Sequence, residues 1–165
     1  MSARAQNTPD RLCDGDEIRL VLDSRLEYLD AVHRLSEEFG RFAGLGREDA
    51  FRLSLAVREA LANALTHGNR LDEHKKVRLS YRVRGGTVCV CVADEGSGFR
   101  PEDAPDPLAP ENLDRPEGRG LLLMRHYVDK VEVRRAPGRG TRLCLHKHLP
   151  ERGRRRSVKS GRKHS

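Results

Sequence analysis

The chain has no tryptophan, and only four phenylalanines and three tyrosines among its 165 residues. That is too few aromatic side chains to build a stacking platform for single-stranded nucleic acid. No stretch approaches the eighteen or more apolar residues of a membrane-spanning helix. Met1 to Asp10 hold no apolar segment, which excludes a secretory signal there. A cytoplasmic protein with no membrane partner is therefore expected. The phosphate-binding run Gly-x-x-x-x-Gly-Lys-Ser/Thr is missing, so nucleotide chemistry of the P-loop kind is excluded. Cysteine is scarce as well, with four residues and no Cys-x-x-Cys turn to suggest a zinc site. Cys89 and Cys91 alternate within Val88-Cys-Val-Cys-Val92, so both point to one face of a strand. They read as buried thiols packing like small hydrophobes. Cys144 sits in another strand pattern and Cys13 in a polar leader.

What the chain has in quantity is charge. Charged residues make up 35% against 36% hydrophobic, which fits one domain with a real core and a heavily solvated surface. The net charge of +7 is unevenly placed. Residues 151–165 carry seven arginines and lysines against Glu151 alone, so the rest of the chain is close to neutral. A basic segment so poor in apolar residues reads as a disordered tail. Direct nucleic-acid binding through it is not expected as the main function. Such binding would be strongly salt-dependent and lost with the tail. The organisation is a flexible leader (1–16), one domain (17–149) and the basic tail (150–165).

Within the domain, residues 18–22 form a short strand. Ser24 and Glu27 match a capping box that opens a helix through about residue 42, closed by Gly44 and Gly46. A second helix spans about 47–66 and ends near Gly68. On it Leu53, Val57, Ala60, Leu61, Ala64 and Leu65 share one face. Residues 77–83 and 87–93 alternate with period two around a glycine turn. Residues 99–117 hold five of the eight prolines and read as a functional loop or lid. A short helix over 120–127 and a last strand pair over 128–134 and 141–146 complete the order. Helices on one face of a mixed, mostly antiparallel sheet give an α+β, two-layer α/β sandwich.

Four islands carry chemistry. Glu59-Ala-Leu-Ala-Asn63 puts a carboxylate and a neutral amide one helical turn apart, at the edge of the apolar face. Asn63 offers an oxygen suited to a hard Mg²⁺ ion, and Glu59 can take a proton from a hydroxyl or water. Asp94-Glu-Gly-Ser-Gly98 places a carboxylate at a strand end beside glycines, where it can accept from an adenine amino group. Gly118-Arg-Gly-Leu121 leads into a helix whose N-terminus favours anions, and Arg119 can add a contact to phosphate. Leu121, Leu122 and Met124 read as core residues. Gly138-Arg-Gly-Thr141 is a hairpin glycine turn. His67 reads as a helix-end residue, and Asn69 as part of the C-terminal cap with a place at the pocket edge left open.

In this order, the islands resemble the boxes of the GHKL ATPase and kinase superfamily, which includes histidine-kinase catalytic domains. Glu59-x-x-x-Asn63 resembles the N box, and Asp94-x-Gly-x-Gly98 the next. Gly118-x-Gly120 resembles the box at the ATP lid, and Gly138-x-Gly-Thr141 the last. Within that group the chain is most similar to the small anti-sigma-factor serine/threonine kinases. The two leading helices and Val57-Arg-Glu-Ala-Leu-Ala-Asn-Ala-Leu-Thr-His-Gly68 carry that likeness. The resemblance implies a Bergerat-type sandwich with ATP and Mg²⁺ as cofactors. It makes Glu59 the general base, Asn63 the Mg²⁺ ligand and Asp94 the adenine-binding residue. Gly96 and Gly98 would shape the pocket floor, and Gly118, Arg119, Gly120 and Leu121 would follow on the phosphate side. Thr141 would lie near the base-binding network. The implied partners are a sigma factor and a STAS-type anti-anti-sigma protein that the kinase phosphorylates; a homodimer is left open. The alternative is a non-catalytic ATP-binding module that sequesters a signalling partner.

Overall fold

The computed structural model describes residues 15–98 and 119–151. Most of the expected leader and tail, the whole of the proline-rich loop, and Gly118 lie outside these residues. The elements run β1 (Glu17–Asp23), α1 (Tyr28–Ala43), α2 (Arg47–Asn63), a π-helical turn (Ala64–Gly68), β2 (Lys76–Arg84) and β3 (Thr87–Ala93). They continue with α3 (Arg119–Tyr127), β4 (Lys130–Arg135) and β5 (Thr141–His148). The sheet order is β1-β2-β3-β5-β4. Each pairing is antiparallel, so among the described residues the sheet is purely antiparallel rather than mixed.

Two periodicities build the core. Along β2 every second residue, Val77, Leu79, Tyr81 and Val83, is buried, as are Val88, Val90 and Val92 on β3 and Leu145 on β5. Helix α2 lays Ala50, Leu53, Ala56, Val57, Ala60 and Leu61 against this face. Helix α1 adds Val32 and Phe39, whose ring centroid lies 5.2 Å from that of Tyr81. The Tyr81 hydroxyl meets Ser36 Oγ at 3.0 Å, and burial pushes its pKa up to about 12.

Three local expectations are corrected. Ser24 does not cap α1. It is buried and donates to the Lys75 carbonyl at 2.7 Å, so a tertiary partner wins over the local cap, and α1 begins only at Tyr28. Leu122 is 43% exposed rather than core. The short helix α3 turns Leu121, Met124 and the following Val128 inward at i, i+3 and i+7, which leaves Leu122 and Leu123 outside.

The third correction concerns the cysteines. Cys91 and Cys144 form a disulfide rather than two isolated thiols, with Cα atoms 4.1 Å apart, while Cys89 stays free. The two residues are 53 apart in sequence but face each other in the β3–β5 ladder. Only the strand order, which inserts β5 beside β3, brings them together.

Candidate functional site

Helix α2 holds the first half of the site. Glu59 and Asn63 follow one another by a turn, both half-buried, at the rim of the apolar stripe that fixes α2 on the sheet. Helix α3 approaches them with its first turn. A methyl group on Gly120 would strike the Glu59 carboxylate and sit 3.2 Å from Asn63 Nδ2. Glycine here lets backbone come against the pair, and beside it lies the N-terminal end of α3, whose first amides have no partner within the helix. Arg119 opens α3 exposed, and Leu121 turns back to the core.

The second half forms around Asp94, immediately after β3. Its side chain is buried, and Oδ1 accepts from the Gly96 and Thr141 amides at 2.8 and 3.1 Å. The Asp94 amide donates in turn to the Thr141 carbonyl at 2.9 Å, so the start of β5 clamps this residue. Burial raises the pKa of the Asp94 carboxyl, opposed by the Gly96 and Thr141 bonds. Both of those bonds fall on Oδ1, and Oδ2 faces Gly68. Glycines surround the carboxylate closely. A side chain at Gly68 would collide with it, one at Gly96 with the Gly68 carbonyl, and one at Gly140 with the Asp94 carbonyl. Gly98 stands beside Gly140, where an added methyl would lie 3.6 Å from the Gly140 carbonyl oxygen.

One helical segment joins the halves: Glu59 and Asn63 meet Gly120, and Gly68 meets Asp94. Nine residues of helical rise from Glu59 to Gly68 cover about 13 Å. The structure thus brings together Glu59, Asn63 and Gly120 at one end, and Asp94, Gly96, Gly98 and Thr141 at the other.

Asn69 is more than a cap. It is fully buried, its Nδ2 donates to Ser24 Oγ at 2.8 Å and the Lys76 carbonyl at 3.0 Å, and its Oδ1 accepts from the Glu95 amide at 2.8 Å. It therefore ties the end of the α2 segment to β1, to β2 and to the residue after Asp94. Gly68 was legible only as a helix end; its contact with Asp94 needs the fold. His67 stays exposed.

The sequence profile of the histidine kinase-like ATPase domain matches residues 22–147. The chain belongs to the histidine kinase-like ATPase family. The anti-sigma F factor of Pasteuria penetrans is 33% identical over 107 residues, covering 62% of this chain and 70% of that protein. That of Geobacillus kaustophilus is 34% identical over 106 residues, covering 62% and 71%. The anti-sigma F factor of Bacillus subtilis is 33% identical, with the same two coverages. Among solved structures, the crystal structure of the RsbU and RsbW domains of Rv1364c from Mycobacterium tuberculosis matches with a TM-score of 0.59. It is 20% identical and the match covers 81% of this chain and 32% of that one, which is a likeness of fold.

The residues present fit the ATP and Mg²⁺ that such an ATPase domain implies. The Gly96 and Thr141 bonds to Asp94 fall on Oδ1, so Oδ2 could accept from a base amino group, the glycines leave backbone close to Asp94 and Glu59, and Asn63 has a neutral oxygen of the kind that suits a hard cation. Among the described residues no helix is long and apolar enough to cross a membrane.

Proposed function

We propose that the chain is an ATP-dependent serine/threonine protein kinase acting as an anti-sigma factor, which binds a sigma factor and phosphorylates a STAS-type anti-anti-sigma protein. The similarity to anti-sigma F factors supports the pathway. The observation that carries the catalytic reading is Glu59, one turn from Asn63 and directly under Gly120. Binding a nucleotide needs Asp94 and the glycines; it does not need a carboxylate at the α3 end of the cleft.

In this reading Asp94 orients the adenine through Oδ2 while the Gly96 and Thr141 amides hold Oδ1 in place. The first amides of α3 and the Arg119 guanidinium face phosphate charge. Asn63 would hold Mg²⁺ by its Oδ1, and the ion would neutralise charge on the phosphates. Glu59 accepts the proton of the incoming serine or threonine hydroxyl. The backbone seat at Gly120 keeps that carboxylate in place, so the rate gain comes chiefly from positioning and charge.

The test is incubation of the protein with labelled ATP and the STAS-domain proteins of the same cell. One of them should acquire label on serine or threonine with the wild type and none with Glu59→Gln, at equal ATP binding. Absence of label on every partner, with ATP binding intact, would refute the kinase. Partner regulation unchanged by Glu59→Gln would favour a sequestering module.

A further inference from the structure

The face of the sheet opposite the helices carries a sulfur cluster that the nucleotide site does not use. Cys89 and Cys91 point to this face from β3, and Cys144 from β5. The three sulfurs lie within 4.8 Å of one another, and Cys89 Sγ stands 3.7 Å from Cys91 Sγ. Two thiolates bound to one tetrahedral Zn²⁺ at about 2.3 Å are about 3.8 Å apart, so this spacing is already that of a coordination edge. A nitrogen ligand is one side-chain rotation away, since neither ring nitrogen of His146 lies within 4.8 Å of all three sulfurs. His146 is the direct cross-strand neighbour of Cys89, and its Nε2 is shut off from solvent with no hydrogen bond, though it lies 3.5 Å from Glu132 Oε2. Charged groups of both signs surround the cluster: Arg82, the other cross-strand neighbour of Cys89, and Arg142 favour its thiolate, whereas Glu132, the cross-strand neighbour of Cys144, opposes it.

We propose that this face is a binding site for a soft divalent cation such as Zn²⁺, with Cys89, Cys91 and Cys144 as thiolate ligands and His146 as the fourth. The disulfide form and the metal form exclude each other. A dithiol reductant gives two electrons to the Cys91–Cys144 bond, yielding two thiols and its own cyclic disulfide; cation binding then releases one proton from each of the three thiols. The site is placed to act on the nucleotide cleft. Cys91 is three residues before Asp94, which directly follows the same strand, and Cys144 is three residues after Thr141, whose amide holds the Asp94 carboxylate.

The full chain is reduced with a dithiol, freed of it without air, and titrated with Zn²⁺ against a chromophoric chelator, with Co²⁺ as a spectroscopic probe. One equivalent should bind, with the intense visible absorption of tetrahedral cobalt thiolate. Cys89→Ser and Cys144→Ser should each weaken binding at least about 100-fold, and His146→Ala about tenfold. Cys13→Ser, the control, should change nothing. The oxidised wild type, folded as described here, should bind no better than Cys89→Ser. Binding by the oxidised wild type as tight as by the reduced form overturns the proposal. So does a reduced wild type that competes no better than Cys89→Ser, or an affinity that depends on Cys13 instead. Circular dichroism of each variant keeps loss of ligand apart from loss of fold.

Discussion

Exchanging Asp94 for asparagine turns one carboxylate oxygen into an amide nitrogen of nearly the same size. The remaining oxygen can keep the bonds from the Gly96 and Thr141 amides, at 2.8 and 3.1 Å in the wild type, so the loop should hold its shape. The position facing the base changes from a charged acceptor to a donor, and an adenine amino group then meets two protons instead of a lone pair. Losing a hydrogen bond to a charged group costs about 1.5–3 kcal/mol, and leaving the facing donors unpaired in a buried pocket about 1–3 more. A total of about 2.5–6 kcal/mol weakens ATP binding roughly 70- to 25,000-fold. Stability should move the other way. Burial raises the Asp94 pKa in the folded state, so the folded state binds this proton more tightly than the unfolded chain. Ionised Asp94 therefore destabilises the fold at every pH above its folded pKa. That cost fades as pH falls through the folded value toward the ordinary carboxylate value. The asparagine variant carries no such charge, so without nucleotide it should melt at or above the wild type near neutral pH, and this advantage should shrink toward acid. Calorimetric titration with ATP and melting curves of the nucleotide-free proteins read both quantities. An asparagine variant that binds ATP within about threefold of the wild type refutes the assignment of the base contact. One that melts far below the wild type without ATP shows that Asp94 is a structural clasp instead.

Four further outcomes are expected. Glu59→Gln should reduce phosphoryl transfer at least about 100-fold in single-turnover assays while the dissociation constant for ATP changes little, because only the proton acceptor is lost. Gly140→Ala forces a side chain into the Asp94 carbonyl at φ +104°, and should cost about 1–3 kcal/mol and weaken ATP binding. Gly138→Ala, at φ +88° with open space around it, should cost only about 1 kcal/mol in the same denaturant titration and leave ATP affinity alone. Asn69→Ala removes three side-chain hydrogen bonds and strands the Glu95 amide and the Lys76 carbonyl. It should cost about 2–4 kcal/mol in urea unfolding, with a loss of ATP affinity transmitted through Glu95.

The parts of the fold legible in the sequence are those whose signal is local and periodic. Alternation along β2 and β3 gives their hairpin, and the apolar stripe of α2 gives both its burial and the rim position of Glu59 and Asn63. Asp94 is legible because a carboxylate at the end of an apolar strand beside two glycines is a local pattern. What escapes depends on which strands become neighbours. The Cys91–Cys144 pair exists only because β5 inserts between β3 and β4. Ser24 looks like a cap in sequence and is a tertiary hydrogen-bonding residue in the fold. Gly68 serves Asp94, 26 residues further on, and Asn69 serves Glu95; no spacing rule links either pair.

The π-helical turn at Ala64–Gly68 makes chain length itself a functional variable. The Asn69 amide donates to the Ala64 carbonyl at 2.8 Å, a bond across five residues where an α-helix would close across four. That one extra residue sets the phase between the two ends of the cleft. Were this segment to close as an ordinary α-turn at its present length, Asn69 would move one residue on, about 100° around the helix axis and away from Glu95. Glu59 and Asn63, upstream of the turn, would keep their places. A chain closed that way could retain the α2 core and the acid–amide pair yet lose its grip on the base. In this segment the count of residues matters as much as their identity.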